Sequence, residues 1–525
     1  MDAWTFSPLL ASRAEVSTPV TVLFACLLVG LIACLALEEK LHAKKSVIAG
    51  IFALVCLLLG AVLGVLPFER VVVGSYEALP PEEPLEVEVI DDADGHHERV
   101  TVGGTKSEES ARGEEPLTLH VGGHRLSMPV YIPGIDWSVI AIILGSSLFV
   151  DVTSQSGLFT WIALRVTKLS RGDPFWLLVL YGVMTVVFSA VLNNVTAMII
   201  VGSLTAVSLG KLGQLDKLLG FLLVEGLLTN IGGLLTLISS VPNIIVGTTA
   251  NIAFVTFFIK AAPYVVLATA GTIFLGLRLF GIRRLTDPEE QQRAAAMVAE
   301  FDENEGVEHW GFFWFAGAML ILFILCIATA AVLPYRINHL GMGFIALLFA
   351  GVMLIPFKSE VDRFYRTVDW DLLGFFMALF VVIYVMEHAQ VLASIGRGIE
   401  AVLVDKKFAN ASGNKLDATT LLAGSALFSS VTDNIPLSAM LASILKSLGA
   451  PNESGLWWSV IFGANLGGNL TPIGSASTLV AVTLIHKHDL HLSFGQFVKV
   501  ALPYALLQIG LAIVYVLVIL PWIPG

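Results

Sequence analysis

The sequence predicts an all-α polytopic membrane protein of the inverted-repeat transporter class. It should have about 10 transmembrane helices, two re-entrant hairpins and a small extracytoplasmic β-rich insertion. Three observations carry this expectation. Of 525 residues, 56% are hydrophobic and 14% charged, whereas an ordinary soluble domain is about 25% charged; the mean hydropathy is +0.82. Ten segments are apolar over the roughly 17–25 residues that cross a bilayer. Three polar-marked segments of the first half recur, in order, in the second.

In chain order the spans are roughly 19–37, 46–66, 136–152, 218–249, 253–280, 310–333, 339–356, 370–388, 457–485 and 495–520. Two further apolar stretches, 174–209 and 416–449, are long enough to enter and return. Each has a polar tip, LNNVT at 192–196 and VTDNIP at 431–436. Non-helical backbone at membrane depth is tolerated only inside protein or beside water, so both are expected to be hairpins. The positive-inside rule supports that count. With hairpins that return to their side of entry, Lys40, Lys44, Lys45, Arg165, Lys168, Arg171, Lys211, Lys217, Arg278, Arg283, Arg284, Lys358, Arg363, Arg366 and Lys487 share one side. Lys406, Lys407 and Lys415 are the exceptions. The expected location is the plasma (inner) membrane, with both termini outside.

The chain divides into the first two spans (1–66), an insertion (67–133), the rest of repeat 1 (134–281), a cytoplasmic linker (282–309) and repeat 2 (310–525). The insertion alternates like short strands in VVVGSY, LEVEVI, RVTVGG and LTLHVGG. Its His96, His97, His120 and His124 sit among turn residues rather than at metal spacing. Cys26, Cys34, Cys56 and Cys326 all lie in apolar segments, without metal spacing. The N-terminus lacks the basic start of a cleaved signal peptide. A net charge of −12 gives no reason to expect nucleic acid as a partner.

IDWSVIAIILGSSLFV (135–150) matches VDWDLLGFFMALFVVI (368–383), and SAVLNNVTAMI (189–199) matches SSVTDNIPLSAM (429–440). TNIGGLLTLI (229–238) matches ANLGGNLTPI (464–473). The offsets are 233, 240 and 235. Each half holds five spans and a hairpin. Five is odd, so the second copy must enter the membrane upside down.

Each half supplies two polar breaks. The tips offer Asn193, Asn194 and Thr196, then Thr432, Asp433 and Asn434; the broken spans offer Asn230, Gly232, Gly233 and Thr236, then Asn465, Gly467, Gly468, Asn469 and Thr471. Helices broken at depth expose unpaired N–H groups at one end and carbonyls at the other. Such ends attract anions and cations respectively. Amide and hydroxyl oxygens suit a hard cation such as Na⁺, and the N–H and hydroxyl donors suit an oxyanion. A carboxylate at bilayer depth costs at least about 2.5–3.5 kcal/mol and is a functional candidate by default. Asp433 is the clearest, as a group exchanging H⁺ for Na⁺. Glu225, shortly before the Asn230 break, is a second proton-coupling candidate.

LSRGDPF (169–175), LNNVTAMI (192–199), LLTNIGGLLTLISSVPNIIV (227–246), SSVTDNIPLSAM (429–440) and FGANLGGNLTPIGSAS (462–477) resemble signature segments of the ion-transporter superfamily. The resemblance is to the group of arsenite permeases, NhaD-type sodium–proton antiporters and the melanosomal P protein, with a citrate-transporter-like domain. It covers about 135–520. It implies an elevator-like, usually dimeric transporter whose hairpin tips and broken spans move together, and it adds Asn243 and Ser475 to the site. Two departures stand out. Asn193 replaces an aspartate of the P-protein pattern, and ISSVPN (238–243) replaces an Ile-Gly-Asp-Pro-Pro-Asn segment.

The expected function is secondary active Na⁺/H⁺ antiport, with a small ion as substrate, Na⁺ or H⁺ as coupling ion, Na⁺ held at the hairpin tips and no cofactor. The alternative is efflux of an anion or metalloid of the arsenite type, or carboxylate transport coupled to an ion gradient. No HExxH pattern or pair of intramembrane histidines points to an enzyme. A channel is the third reading.

Overall fold

In this computed structural model the described residues are 16–66, 129, 131–304, 306–330, 340–402 and 415–523, with four short strands between 86 and 126. The first half contains α1 (Thr18–Ala36), α2 (Glu38–Leu41), α3 (Lys45–Val62), α4 (Trp137–Ser154), α5 (Leu158–Ser170), α6 (Pro174–Val191), α7 (Asn194–Lys211), α8 (Leu218–Gly232), α9 (Val241–Thr249) and α10 (Phe254–Leu279). Helix α11 (Pro288–Ala299) lies in the linker. The second half contains α12 (Trp310–Ala328), α13 (Gly341–Leu354), α14 (Val361–Thr367), α15 (Trp370–His388), α16 (Val391–Val402), α17 (Lys415–Ser429), α18 (Asn434–Ser447), α19 (Gly455–Gly467), α20 (Ala476–Lys487) and α21 (Phe494–Val514).

Local chemistry starts the helices where the sequence changes character. Asp136 opens α4, Asp173 opens α6 with Pro174 behind it, and Asp369 opens α15. Each carboxylate accepts first-turn N–H groups that have no partner within the helix. Large apolar side chains such as Leu54, Leu58, Ile321 and Leu325 stay exposed on α3 and α12, as expected of faces turned to lipid. Among the described residues nine helices are long and apolar enough to cross a membrane, and the protein is a polytopic membrane protein whose membrane part is all-helical.

The count of ten spans is corrected to these nine. The segments 218–249 and 457–485, expected as broken spans, are each two short helices and so do not enter that number: α8 stops at Gly232 and α19 at Gly467, each at a Gly-Gly pair, and the chain restarts as α9 and α20. The apolar helix of 339–356 is a shorter one, Gly341–Phe357. The arms of 174–209 count instead, because α6 and α7 have 18 residues each. Two amphipathic elements, α5 and α16, are too short to register as spans and were not expected. In the insertion, Glu86–Ile90 pairs with His97–Thr101 and Leu119–Val121 with His124–Leu126, both antiparallel. The rest of 67–128, with His96, lies outside the described residues, as do Lys406, Lys407 and the N-terminal 15 residues.

The packing is reciprocal. Helix α4 lies on α13, and α3 lies on α15. Helix α20 packs on α7 and α8, as α9 packs on α18 and α19. Helices α10 and α21 pack together. The broken helices α8 and α19 form the centre: every residue from Gly220 to Gly232 and from Leu456 to Gly467 is buried.

Candidate functional site

Each central helix meets the neighbouring hairpin through contacts that occur twice. Ser189 Oγ donates to the Thr229 carbonyl at 2.6 Å, and Ser429 Oγ donates to the Ala464 carbonyl at 2.5 Å. Thr236 Oγ1 donates to the Ala190 carbonyl at 2.7 Å, and Thr471 Oγ1 to the Ser430 carbonyl at 2.5 Å. A Cβ on Gly232 would lie 2.6 Å from the Val186 carbonyl oxygen, and one on Gly467 would overlap that of Ala426 still more. Only glycine permits such backbone approach. The hairpin partners are 240 residues apart and the break partners 235, the same two offsets as in the sequence repeat.

Two polar networks follow. In the first, Asn230 Oδ1 accepts from Asn194 Nδ2 (3.2 Å), Ser475 Oγ (2.9 Å) and Ser477 Oγ (3.2 Å). Asn230 Nδ2 donates to Asn469 Oδ1 at 2.8 Å. Asn469 Nδ2 reaches Gln508 Oε1 at 2.7 Å, and Gln508 Nε2 reaches Thr272 Oγ1 at 3.0 Å. In the second, Ser240 Oγ donates to Asn465 Oδ1 at 2.7 Å and Asn465 Nδ2 donates to Asn243 Oδ1 at 3.0 Å. Asn243 Nδ2 donates to the carbonyls of Gly233 (2.6 Å) and Thr236 (2.9 Å). The centre of each network is bonded by the serine that opens the other half's second half-helix. Ser475 reaches Asn230 and Ser240 reaches Asn465.

These serines sit at the N-cap positions of α20 and α9, but their side chains cap no backbone N–H of those helices. Their hydroxyls cross the halves instead. A hydroxyl can donate a proton or turn a lone pair outward, so the networks can offer oxygens to a cation or donors to an anion. Gly233 and Gly468 give backbone room here: a Cβ on Gly233 would sit 2.7 Å from Asn194 Oδ1, and one on Gly468 would sit 2.9 Å from the Gly474 carbonyl.

The tips are used differently. Asn193 is exposed and caps α7, accepting from the Thr196 N–H at 2.7 Å. Asp433 caps α18, with Oδ1 accepting from the Ile435 N–H at 3.1 Å. Its Oδ2 is 2.5 Å from Lys45 Nζ at the start of α3. Thr432 Oγ1 bonds back to the Phe428 carbonyl in its own hairpin. The Thr196 and Asn434 side chains make no hydrogen bond among the described residues, and no bond joins the two tips there. Glu225 is fully buried on α8, its Oε1 accepting from Thr205 Oγ1 at 2.7 Å and its Oε2 without a partner. No group of three or more His, Cys, Asp or Glu able to hold a metal occurs among the described residues.

The structure therefore brings together Asn194, Asn230, Asn469 and Ser475, and separately Gly233, Thr236, Asn243 and Asn465. Sequence reasoning missed Ser189, Ser240, Ser429, Ser477, Gln508 and Lys45. The serines were legible as identical residues at matching places, Ser189 with Ser429 and Ser240 with Ser475. Lys45, 388 residues from its partner, carries no local signal.

Residues 116–463 match the family described as citrate transporter, CitMHS. An uncharacterized transporter of Mycobacterium tuberculosis is 30% identical over 388 residues, 73% of this chain and 86% of that one. The human P protein is 24% identical over 472 residues, 76% of this chain and 55% of that protein. The Alcanivorax borkumensis YdaH transporter shares the fold at a TM-score of 0.54 and 15% identity, over 91% of this chain and 99% of that one. The chain belongs to the CitMHS citrate-transporter family and is a secondary membrane transporter.

Proposed function

We propose that the protein is an elevator-like, alternating-access Na⁺/H⁺ antiporter. Its two halves are inverted copies, its two hairpins are re-entrant, and it works as a homodimer in the plasma membrane with both termini outside. The observation that carries the ion reading is Asp433, the single tip carboxylate where the other half has Asn193. It stands at a hairpin whose tip is bonded, through Ser429 and Ser430, to the oxygen-rich Asn465 break. Hard oxygens of amides and hydroxyls from both halves suit a small cation, and the carboxylate lets H⁺ and Na⁺ compete. Glu225, buried behind the Asn230 network, is the second proton-coupling group. The doubled hydrogen bonds between hairpin and break support the repeat. The twin Ser–Asn bonds support a moving unit built from both halves.

The test is Na⁺-induced ΔpH in everted vesicles. Asp433→Asn should abolish the exchange; a variant as fast as wild type sinks the assignment.

A second reading is transport of a carboxylate anion. It is favoured by the family's description and by the first turns of α9 and α20, whose N–H groups have no side-chain cap. Helix starts of this kind attract anions. Uptake of labelled citrate, unaffected by a Na⁺ gradient in the ΔpH assay, would select this reading over the first.

A further inference from the structure

The Lys45–Asp433 pair joins the start of α3 to the hairpin tip that precedes α18. Lys45 opens α3, and the next residue, Ser46, donates both its N–H (3.3 Å) and its hydroxyl to Asp371 Oδ1 at the start of α15. The start of α3 is thus fixed to α15. Asp433 caps α18, which packs on α9, α16 and α19 and also touches α15. Lys45 Nζ takes Asp433 Oδ2 at 2.5 Å and also lies 3.7 Å from Glu38 Oε1. The two partners are 31% and 17% exposed, so water and ions can reach them.

We propose that Lys45 is a tethered competitor for the cation at Asp433. Its ammonium holds the carboxylate when no cargo cation does, and binding of Na⁺ releases it toward Glu38. This rests on the Na⁺/H⁺ reading above. The chemistry favours exchange over sharing. A lysine ammonium is a compact point charge on a flexible stem. Two cations at one carboxylate oxygen would sit within a few ångströms, where like charges repel strongly at low dielectric. Charge stays balanced in both states: Lys45 neutralises Asp433 in one, and in the other Na⁺ does so while Lys45 remains beside Glu38. No covalent step is involved. The consequence is kinetic as well as thermodynamic. Between loss of the proton and arrival of Na⁺ the ionised carboxylate keeps a counter-ion, and the return crossing is made with Asp433 protonated.

Two measurements test it. In everted vesicles, Lys45→Gln should lower the Na⁺ concentration for half-maximal ΔpH by about fivefold, the worth of one partly exposed pair. If wild type shows no Na⁺-induced ΔpH, the antiport reading itself fails and takes this inference with it. If wild type exchanges and Lys45→Gln leaves half-saturation unchanged, the inference alone is overturned. The second measurement needs no variant, so it decides the matter even if Lys45→Gln does not fold. An amine-reactive reagent is applied to the purified wild-type protein in NaCl or in choline chloride at equal ionic strength, and modification is read by mass spectrometry. Na⁺ should speed labelling of Lys45 several-fold and leave the exposed Lys487 unchanged. Equal Lys45 labelling in both salts would mean a static structural ion pair and would overturn the proposal.

Discussion

Asn230→Ala probes the first network at its centre. The substitution removes four hydrogen bonds, but the cost is set by what is left unpaired. Ser475 and Ser477 keep each other at 2.8 Å. Asn469 keeps its donor bonds to Gln508 and the Leu227 carbonyl but loses the only donor that its Oδ1 has among the described residues. Asn194 loses the acceptor for its Nδ2. Two orphaned groups at about 1–3 kcal/mol each give roughly 2–6 kcal/mol; because Asn194 is only partly buried, about 3 kcal/mol is expected. Asn193→Ala is the internal standard, since it removes an exposed cap bond worth about 1 kcal/mol. Equilibrium unfolding of purified protein in mixed micelles with increasing SDS measures both. An Asn230→Ala loss no larger than that of Asn193→Ala would refute the reasoning, because it would mean that the network is not formed or is satisfied by water.

Two further outcomes follow from other parts of the structure. Gly467→Ala places a methyl group against the Ala426 carbonyl and should cost about 1–3 kcal/mol or more, whereas Gly424→Ala, with open space around it, should be neutral or stabilising in the same unfolding assay. In the linker, the bond and charge of Lys168, with Arg165 nearby, hold the Glu303 carboxyl below its ordinary value of 4.5. The restraint is therefore present above about pH 4.5 and is lost as pH falls through the lowered value. Glu303→Gln should raise deuterium uptake over 288–304 at neutral pH, and unchanged uptake would show that this contact does not hold the linker.

Much of the fold was legible because membrane spans and their polar interruptions have strong local signals. Three segments carry the expectation of a repeat, and the offsets 240 and 235 also separate the residues in the paired hydrogen bonds of Ser189 and Ser429 and of Thr236 and Thr471. What failed to show has a physical reason in each case. Helices α5 and α16 are too short for a span-length window, and their polarity hides them among loops. The broken spans count as crossings in the sequence because each is long enough in total, and their breaks are marked by Gly-Gly pairs beside Asn230, Thr236, Asn469 and Thr471. Of the site, the asparagines stood out as polar residues in apolar runs. Gln508 was passed over because one amide in the long helix α21 reads as incidental until Asn469 is found 2.7 Å away. Lys45 was counted as a charge on the cytoplasmic side of a span, which gives no hint that a hairpin tip from the other half of the chain comes to meet it.

The most direct measurement is uptake of radioactive sodium into proteoliposomes holding purified protein, driven only by a pH gradient, acid inside. The account predicts that Na⁺ accumulates against its own gradient in wild type and not in Asp433→Asn. Sodium that does not move while citrate does, or equal accumulation by the two proteins, would contradict it.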